Sequence, residues 1–151
     1  VPSIDPITAE QFETLLPMIA DYQRFYEVEA IDEERNRVFF GRFIDPSEDG
    51  ILIGAWEEDR LLGYACLYWH KSSLSAADTV LMNDLYVEAD SRGRGVGRGL
   101  IEASAEIARS RGANALEWST APDNHTAQRL YDSTGAARSE WVEYELPVDH
   151  S

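Results

Sequence analysis

Apolar residues fall at helical spacing in some stretches of this chain and at strand spacing in others. Phe12, Leu15, Leu16 and Ile19 share one face of a 3.6-residue period and predict a helix over Thr8–Tyr22. Thr8 suits its N-cap, Gln11 completes a capping-box pattern, and Pro17 is placed to kink or divide it. Asp32–Ile44 is a second, shorter helix with Asp45-Pro46 as its stop. Ile51–Glu57 and Leu61–Trp69, joined by Glu58-Asp59-Arg60, read as a hairpin, and Thr79–Glu88 as a further strand. The strongest amphipathic helix covers Gly95–Arg111: Val96, Leu100, Ala103, Ile107 and Ala108 make its apolar face, and Gly112 ends it. A strand over Ala115–Thr120, a short helix over Asn124–Ser133 stopped by Gly135, and a last strand over Trp141–Leu146 complete the order. Elements in this order make an α/β (mixed α+β) fold, a mixed sheet with helices packed on it.

Composition narrows the class. At 151 residues with no repeat or dividing linker, residues 1–151 read as a single domain able to bury a core. No apolar run reaches the ~20 residues of a membrane span, and no signal-like segment opens the chain. The one cysteine, Cys66, lies mid-strand, which suits a buried structural thiol and a reducing cytoplasm. Twenty-eight acids against thirteen bases give a net charge of −15. That balance argues against nucleic acid as a partner and favours cationic ligands, although solubility or a salty cytoplasm would account for it equally. His70 and His125 have no metal-ligand spacing around them, and no Gly-x-Ser-x-Gly is present.

Against this acidity, Asp90–Gly99 carries four of the ten glycines and three of the thirteen basic residues. It follows a strand and opens the strongest helix. Glycine lets backbone amides approach an anion, and the helix start turns free N–H groups and a positive dipole end toward it. Spacing excludes two common phosphate cradles. A G-x-G-x-x-G pattern from Gly93 meets Arg98, and one from Gly95 meets Leu100. A P-loop needs a lysine after the glycines, and the only lysine is Lys71.

The pattern that fits is Arg-x-x-Gly-x-Gly at Arg92, Gly95 and Gly97. A second block, Asn124-x-x-Ala127-x-x-x-Tyr131 with Gly135-Ala136 after it, lies one helix and one strand later. Together, over residues ~79–136, these resemble the GCN5-related N-acetyltransferase superfamily and imply its acyl-CoA N-acyltransferase fold, a twisted mixed sheet flanked by helices. The resemblance implies acetyl-CoA as acetyl donor. Leu85, Tyr86 and Val87 would offer backbone groups to the pantetheine arm, in a gap where the sheet splays toward Ala115–Thr120. Arg92 and the run Gly93-Arg94-Gly95-Val96-Gly97-Arg98 would wrap the pyrophosphate. Asn124 would bond the cofactor, and Ala127 would leave room for it on the face it shares with Tyr131. Tyr131 would protonate the leaving thiolate, a transfer that a phenol of pKa about 10 can make to a thiolate whose acid is near 8.5.

Attack by an amine requires a base, because an alkyl ammonium has a pKa near 10.4. The nearest resemblance is to the polyamine-type acetyltransferases, whose Leu-Glu-Asp-aromatic-aromatic-Val run reads here Met82-Asn83-Asp84-Leu85-Tyr86-Val87. Asn83 replaces the expected Glu and cannot take a proton. Strand alternation places Asp84 on the opposite face from Asn83, so it is not a simple substitute. Asp84 and Glu117 are the candidate bases. Tyr26, Glu27, Asn83, Asp84, Glu117, Trp118 and Glu143 are candidates for binding a cationic amine by charge and cation–π attraction. The reading is direct attack of a neutral amine on the thioester, with no acetyl-enzyme on Cys66. A diamine or polyamine is the expected acceptor. A protein lysine or N-terminus, an aminoglycoside, a small amino acid, or a CoA-sensing module without turnover are the alternatives. The family implies a homodimer, and no membrane partner is expected.

Overall fold

A computed structural model describes residues 2–44 and 46–148. They fall into two compact units, residues 1–119 and 120–151. The first holds a five-stranded sheet in the order β1-β2-β3-β4-β5, with β1 at Ser3–Pro6, β2 at Gly50–Glu57, β3 at Arg60–Ser72, β4 at Ala77–Val87 and β5 at Leu116–Glu117. Neighbours from β1 to β4 are antiparallel, and β4 with β5 is parallel, so the sheet is mixed as its sequence predicts. Helix α1 is Phe12–Phe25, α2 is Glu33–Gly41 and α3 is Val96–Ser110.

β3 is buried without interruption from Leu61 to Leu67, because helices cover both of its faces. On one face, Tyr64 and Cys66 join an apolar cluster with Phe12, Leu15, Leu16 and Ile19 of α1 and Phe40 of α2. On the other, Gly63 faces Leu100 of α3. A Cβ on Gly63 would stand 2.6 Å from the Tyr86 carbonyl oxygen and 3.2 Å from the Val87 Cα. The missing side chain therefore lets α3 and the end of β4 close onto β3.

The N-terminal capping box forms as read: the Thr8 amide donates to the Gln11 side chain at 3.0 Å, and the Gln11 amide to the Thr8 hydroxyl at 3.3 Å. The regular helix begins only at Phe12, runs unbroken through Pro17, and reaches Phe25 rather than Tyr22. Helix α2 starts on the Asp32 cap but ends at Gly41, four residues before Asp45, which lies outside the described residues. Strand β1 is absent from the sequence reading. Its four residues include Pro6, which cannot donate to a ladder and is tolerated here because β1 is an edge.

The expected strand over Ala115–Thr120 shrinks to two paired residues, with Val80 opposite Leu116 and Leu81 opposite Glu117. β4 beyond Leu81 thus has no described strand on that side. The second unit contains helix α4, His125–Asp132, and then a segment without regular structure. The expected strand over Trp141–Leu146 does not form among the described residues. Its apolar pattern suits a strand, but a strand needs a ladder partner, and the described residues of this unit contain no other strand. Trp141, Val142, Tyr144 and Leu146 are accordingly exposed, Tyr144 to 94%.

Gly63→Ala should cost at least about 1–3 kcal/mol, because its contacts are backbone atoms that cannot swing away. Urea denaturation of the variant beside the parent checks this, and an unchanged midpoint would refute the packing assigned to Gly63.

Candidate active site

The glycine loop is built as an open cradle. Gly93 and Gly95 hold φ of +79° and +82°, and a Cβ on either would meet nothing within 4 Å. The constraint is conformational: the left-handed backbone excludes ordinary side chains, while the space above the loop stays clear. Gly95 precedes α3 with no side chain capping the first turn. The Gly99 amide bonds the Gly95 carbonyl at 3.0 Å, so the amides of Val96 and Gly97 precede the helix's own ladder. Arg94 turns aside to Glu57 at 2.8 Å. Arg92 turns back along β4: its Nε donates to the Val87 carbonyl at 2.8 Å, and its guanidinium lies over the rings of Tyr86 and Phe25. Beside the loop, Leu85, Tyr86 and Val87 lie on the stretch of β4 beyond β5. An open cradle, uncapped helix amides and a bare strand edge fit the pyrophosphate and amide-bearing arm of a CoA ester.

The acidic half of the site depends on a break in the β3–β4 register. Cys66 pairs with Asp84 but Leu67 pairs with Met82, so Asn83 is an extra residue, a β-bulge. Simple alternation would send Asp84 to the α3 face. The bulge returns it to the α1 face, opposite Cys66, with Tyr86 opposite Tyr64. It also corrects the expectation that Asn83 and Asp84 point apart: the Asn83 amide donates to Asp84 Oδ1 at 2.7 Å. The Tyr64 hydroxyl donates to Oδ2 at 3.3 Å.

Asp84 is 3% exposed. Burial lifts its pKa from 3.8 to about 6, against the opposing effect of hydrogen bonds from Asn83 and Tyr64. Burial, with the nearby Asp84 charge, also raises the Tyr26 and Tyr64 phenols. The Cys66 thiol is raised by the same two causes in the same order, so it stays protonated and unreactive.

Four tyrosines gather on this face. Tyr22 lies 5.1 Å from Tyr26, 6.0 Å from Tyr64 and 6.1 Å from Tyr86, ring centre to ring centre. Phe25 stands 5.1 Å from Tyr26. The Tyr22 hydroxyl donates to the carbonyl of the bulge residue Asn83 at 3.4 Å. Tyr22 and Tyr64 were missed in the sequence. Tyr22 was legible only as the last residue of a helix, and Tyr64 only as a member of an apolar strand.

The remaining candidates are less engaged. Glu27 ends α1 with φ +60°, in the place a glycine usually takes, and is exposed. Glu117 is exposed on β5 opposite Leu81, short of Asp84. Trp118 follows it, half-buried. In the second unit, Asn124 caps α4 by accepting from the Ala127 amide at 3.2 Å, and Ala127 and Tyr131 are half-buried on that helix. Glu143 lies exposed in the irregular segment rather than on a strand.

Comparison with known proteins agrees with this arrangement. The family model described as acetyltransferase (GNAT) family matches residues 15–136. The chain is 36% identical over 133 residues to a D-amino-acid N-acetyltransferase of Saccharomyces cerevisiae, covering 87% of this chain and 80% of that one. It is 32% identical over 127 residues to a thialysine N-epsilon-acetyltransferase of Bos taurus, covering 81% and 74%. A crystal structure of a probable acetyltransferase superposes with a TM-score of 0.85 at 32% identity over 99% of both chains. The chain belongs to the GNAT acetyltransferase family, and its mixed sheet with flanking helices is that family's fold. It is an N-acetyltransferase, an enzyme of a class that takes its acetyl group from acetyl-CoA.

Because the folded Asp84 holds its proton more tightly than the unfolded chain does, its contribution favours folding below about pH 4. That contribution is lost as pH rises through 6, at a cost of about 3 kcal/mol at neutral pH. Asp84→Asn should therefore raise the melting temperature at pH 7.5, with the gain shrinking toward pH 4. A gain that is equal at both values would show that ionisation is not its cause.

Proposed function

We propose that residues 1–151 form one N-acetyltransferase domain that moves an acetyl group from acetyl-CoA to the primary amine of a small cationic acceptor of the diamine or polyamine kind. The observation that carries this reading is the buried Asp84 set among Tyr22, Tyr26, Tyr64 and Tyr86, on the strand that also presents its edge beside the glycine loop. A low-dielectric acid among aromatic rings suits an ammonium by charge and by cation–π attraction. Relatives named for a D-amino acid and for thialysine support a small amine-bearing acceptor. The family resemblance favours a homodimer, the single buried cysteine a reducing cytoplasm, and the net charge of −15 argues against a nucleic-acid partner, while no helix among the described residues is long and apolar enough to cross a membrane.

Acetyl-CoA supplies an activated acyl group. The cradle of Gly93–Arg98 and the edge of Leu85–Val87 hold it, with Asn124 and Ala127 assigned by the second motif. Asp84 receives the proton that the ammonium must lose. Moving it from pKa about 10.4 to about 6 costs about 6 kcal/mol, where an ordinary carboxylate would require about 9. Both figures lie within the ~13–17 kcal/mol barrier of ordinary turnover, and the smaller leaves more of it for the acyl transfer. Asp84 is sealed from solvent. Tyr64, whose hydroxyl bonds Oδ2, is buried with it, and the Asn83 amide bonds Oδ1. Tyr131 is proposed as the donor that neutralises the departing thiolate. Glu117, Glu27, Tyr26, Trp118 and Glu143 remain candidates for holding the acceptor.

A panel of small amines assayed for thiol release from acetyl-CoA tests the proposal; acetyl-CoA binding without turnover of any amine would favour a sensor module instead. Turnover should rise with pH through a limb near 6. Asp84→Asn should abolish that limb and lower kcat on the order of 100-fold or more. A limb unmoved in the variant would remove Asp84 from the proton path. Tyr131→Phe should lower kcat by about 10²–10⁴ while acetyl-CoA binding, read by calorimetry, persists. Full turnover in that variant would exclude Tyr131 as the donor.

A further inference from the structure

A cavity of about 230 Å³ lies at the opposite end of α3 from the glycine loop, where the β3–β4 hairpin meets Arg111, the residue that follows α3. The Arg111 guanidinium carbon stands 3.6 Å from the centre of the Trp69 ring. The guanidinium thus rests on the ring, a contact that leaves the N–H groups around its edge unspent. The ring is itself fixed. Its indole N–H donates to the Ser47 carbonyl at 3.2 Å, and the Trp69 amide donates to the Asp49 carbonyl at 3.0 Å. Glu48, between those two residues, is held beside the same platform and lines the same cavity.

The other polar side chains of the cavity have partners. Lys71 holds Asp78 at 3.0 Å, and His70 Nδ1 meets the buried Thr79 hydroxyl at 3.3 Å. Arg111 and Glu48 differ. Both are exposed, and neither has a hydrogen-bond or ion-pair partner among the described residues, the other included. The cavity therefore presents one unspent guanidinium and one unspent carboxylate, kept apart by what ties each of them to Trp69.

This cavity is remote from the glycine loop. Thr79 in its lining and Val87 beside the loop are eight residues apart along β4, about 26 Å at ~3.3 Å per residue. Helix α3, which separates the two ends, has fifteen residues and a length of about 22 Å at ~1.5 Å per residue.

We propose that the cavity is a second ligand site, for a small zwitterion with one carboxylate and one ammonium. The edge of Arg111 takes the carboxylate through parallel hydrogen bonds, and Glu48 takes the ammonium. A simple anion would satisfy Arg111 but lie beside Glu48 as a like charge, and a simple cation would meet Arg111 in the same way. A ligand with no net charge also meets no net repulsion from a chain of −15. The site goes beyond the acetyl-transfer reading: at this distance its occupant is a ligand and receives no acetyl group.

Nitrogen–proton correlation NMR of the protein without acetyl-CoA tests this through the Trp69 indole signal, assigned with Trp69→Phe. The probes are glycine, β-alanine and γ-aminobutyrate, zwitterions of increasing span, with acetate and methylamine as single-charge controls. The best zwitterion should shift the Trp69 signal and bind at least about tenfold more tightly than either control. Arg111→Met and Glu48→Gln should each weaken it at least about tenfold, with circular dichroism and thiol release from acetyl-CoA unchanged. Acetate bound as tightly as any zwitterion and indifferent to Glu48→Gln would make this an anion site. Methylamine bound as tightly and indifferent to Arg111→Met would make it a cation site. Either result overturns the proposal, as does a Trp69 signal unmoved by every probe. Loss of thiol release in a folded variant would overturn the separation from acetyl transfer. None of these outcomes bears on whether the protein is an acetyltransferase.

Discussion

An extended strand alternates its side chains between two faces, and β4 breaks that alternation at Asn83. The arrangement of the acidic half follows from the break. With one extra residue, Asp84 comes to the face that carries Tyr64 and Cys66 and packs against α1. Without it, Asp84 would face α3, Tyr86 would follow it, and the tyrosine cluster would lose one of its members. The bulge also brings the Asn83 amide within hydrogen-bond distance of the carboxylate it precedes, and leaves the Asn83 carbonyl to accept from Tyr22. A local irregularity in one ladder thus positions an acid, its amide partner and the helix that covers them.

Burial makes this acid useful and costly at once. A carboxylate with a pKa near 6 is a stronger base than an exposed one, and it is charged at neutral pH only at the expense of folding free energy. Two hydrogen bonds limit that expense and leave the shift intact. The surrounding rings do not bond the carboxylate as water would. They leave its field weakly screened. The glycine-loop half follows the opposite logic: left-handed glycine backbone and open space, with the Arg92 and Arg94 side chains engaged by Val87 and Glu57.

Much of this was legible in the sequence. The hairpin, β4, the amphipathic helix after the glycine loop and the reciprocal Thr8–Gln11 hydrogen bonds were readable because each depends on neighbours within a few residues. The glycine loop was readable for the same reason, since a loop and the helix start that follows it form one local unit. β1 was not, because four residues with a proline become a strand only when β2 lies beside them. The apolar pattern of Trp141–Leu146 met the opposite outcome: a strand-like segment without a ladder partner in its own unit.

The side of a strand on which a residue lies is a property of its pairing. The sequence alone determined the class of protein, the glycine loop and the helix that follows it, because spacing and backbone preference act locally. It could not show that Asn83 is surplus to the ladder, that Asp84 is buried and raised in pKa, that Tyr22 and Tyr64 attend it, or that Arg92 turns from the loop toward the tyrosines. Those depend on register between strands and on packing between segments distant in the chain, and only the tertiary structure decides them.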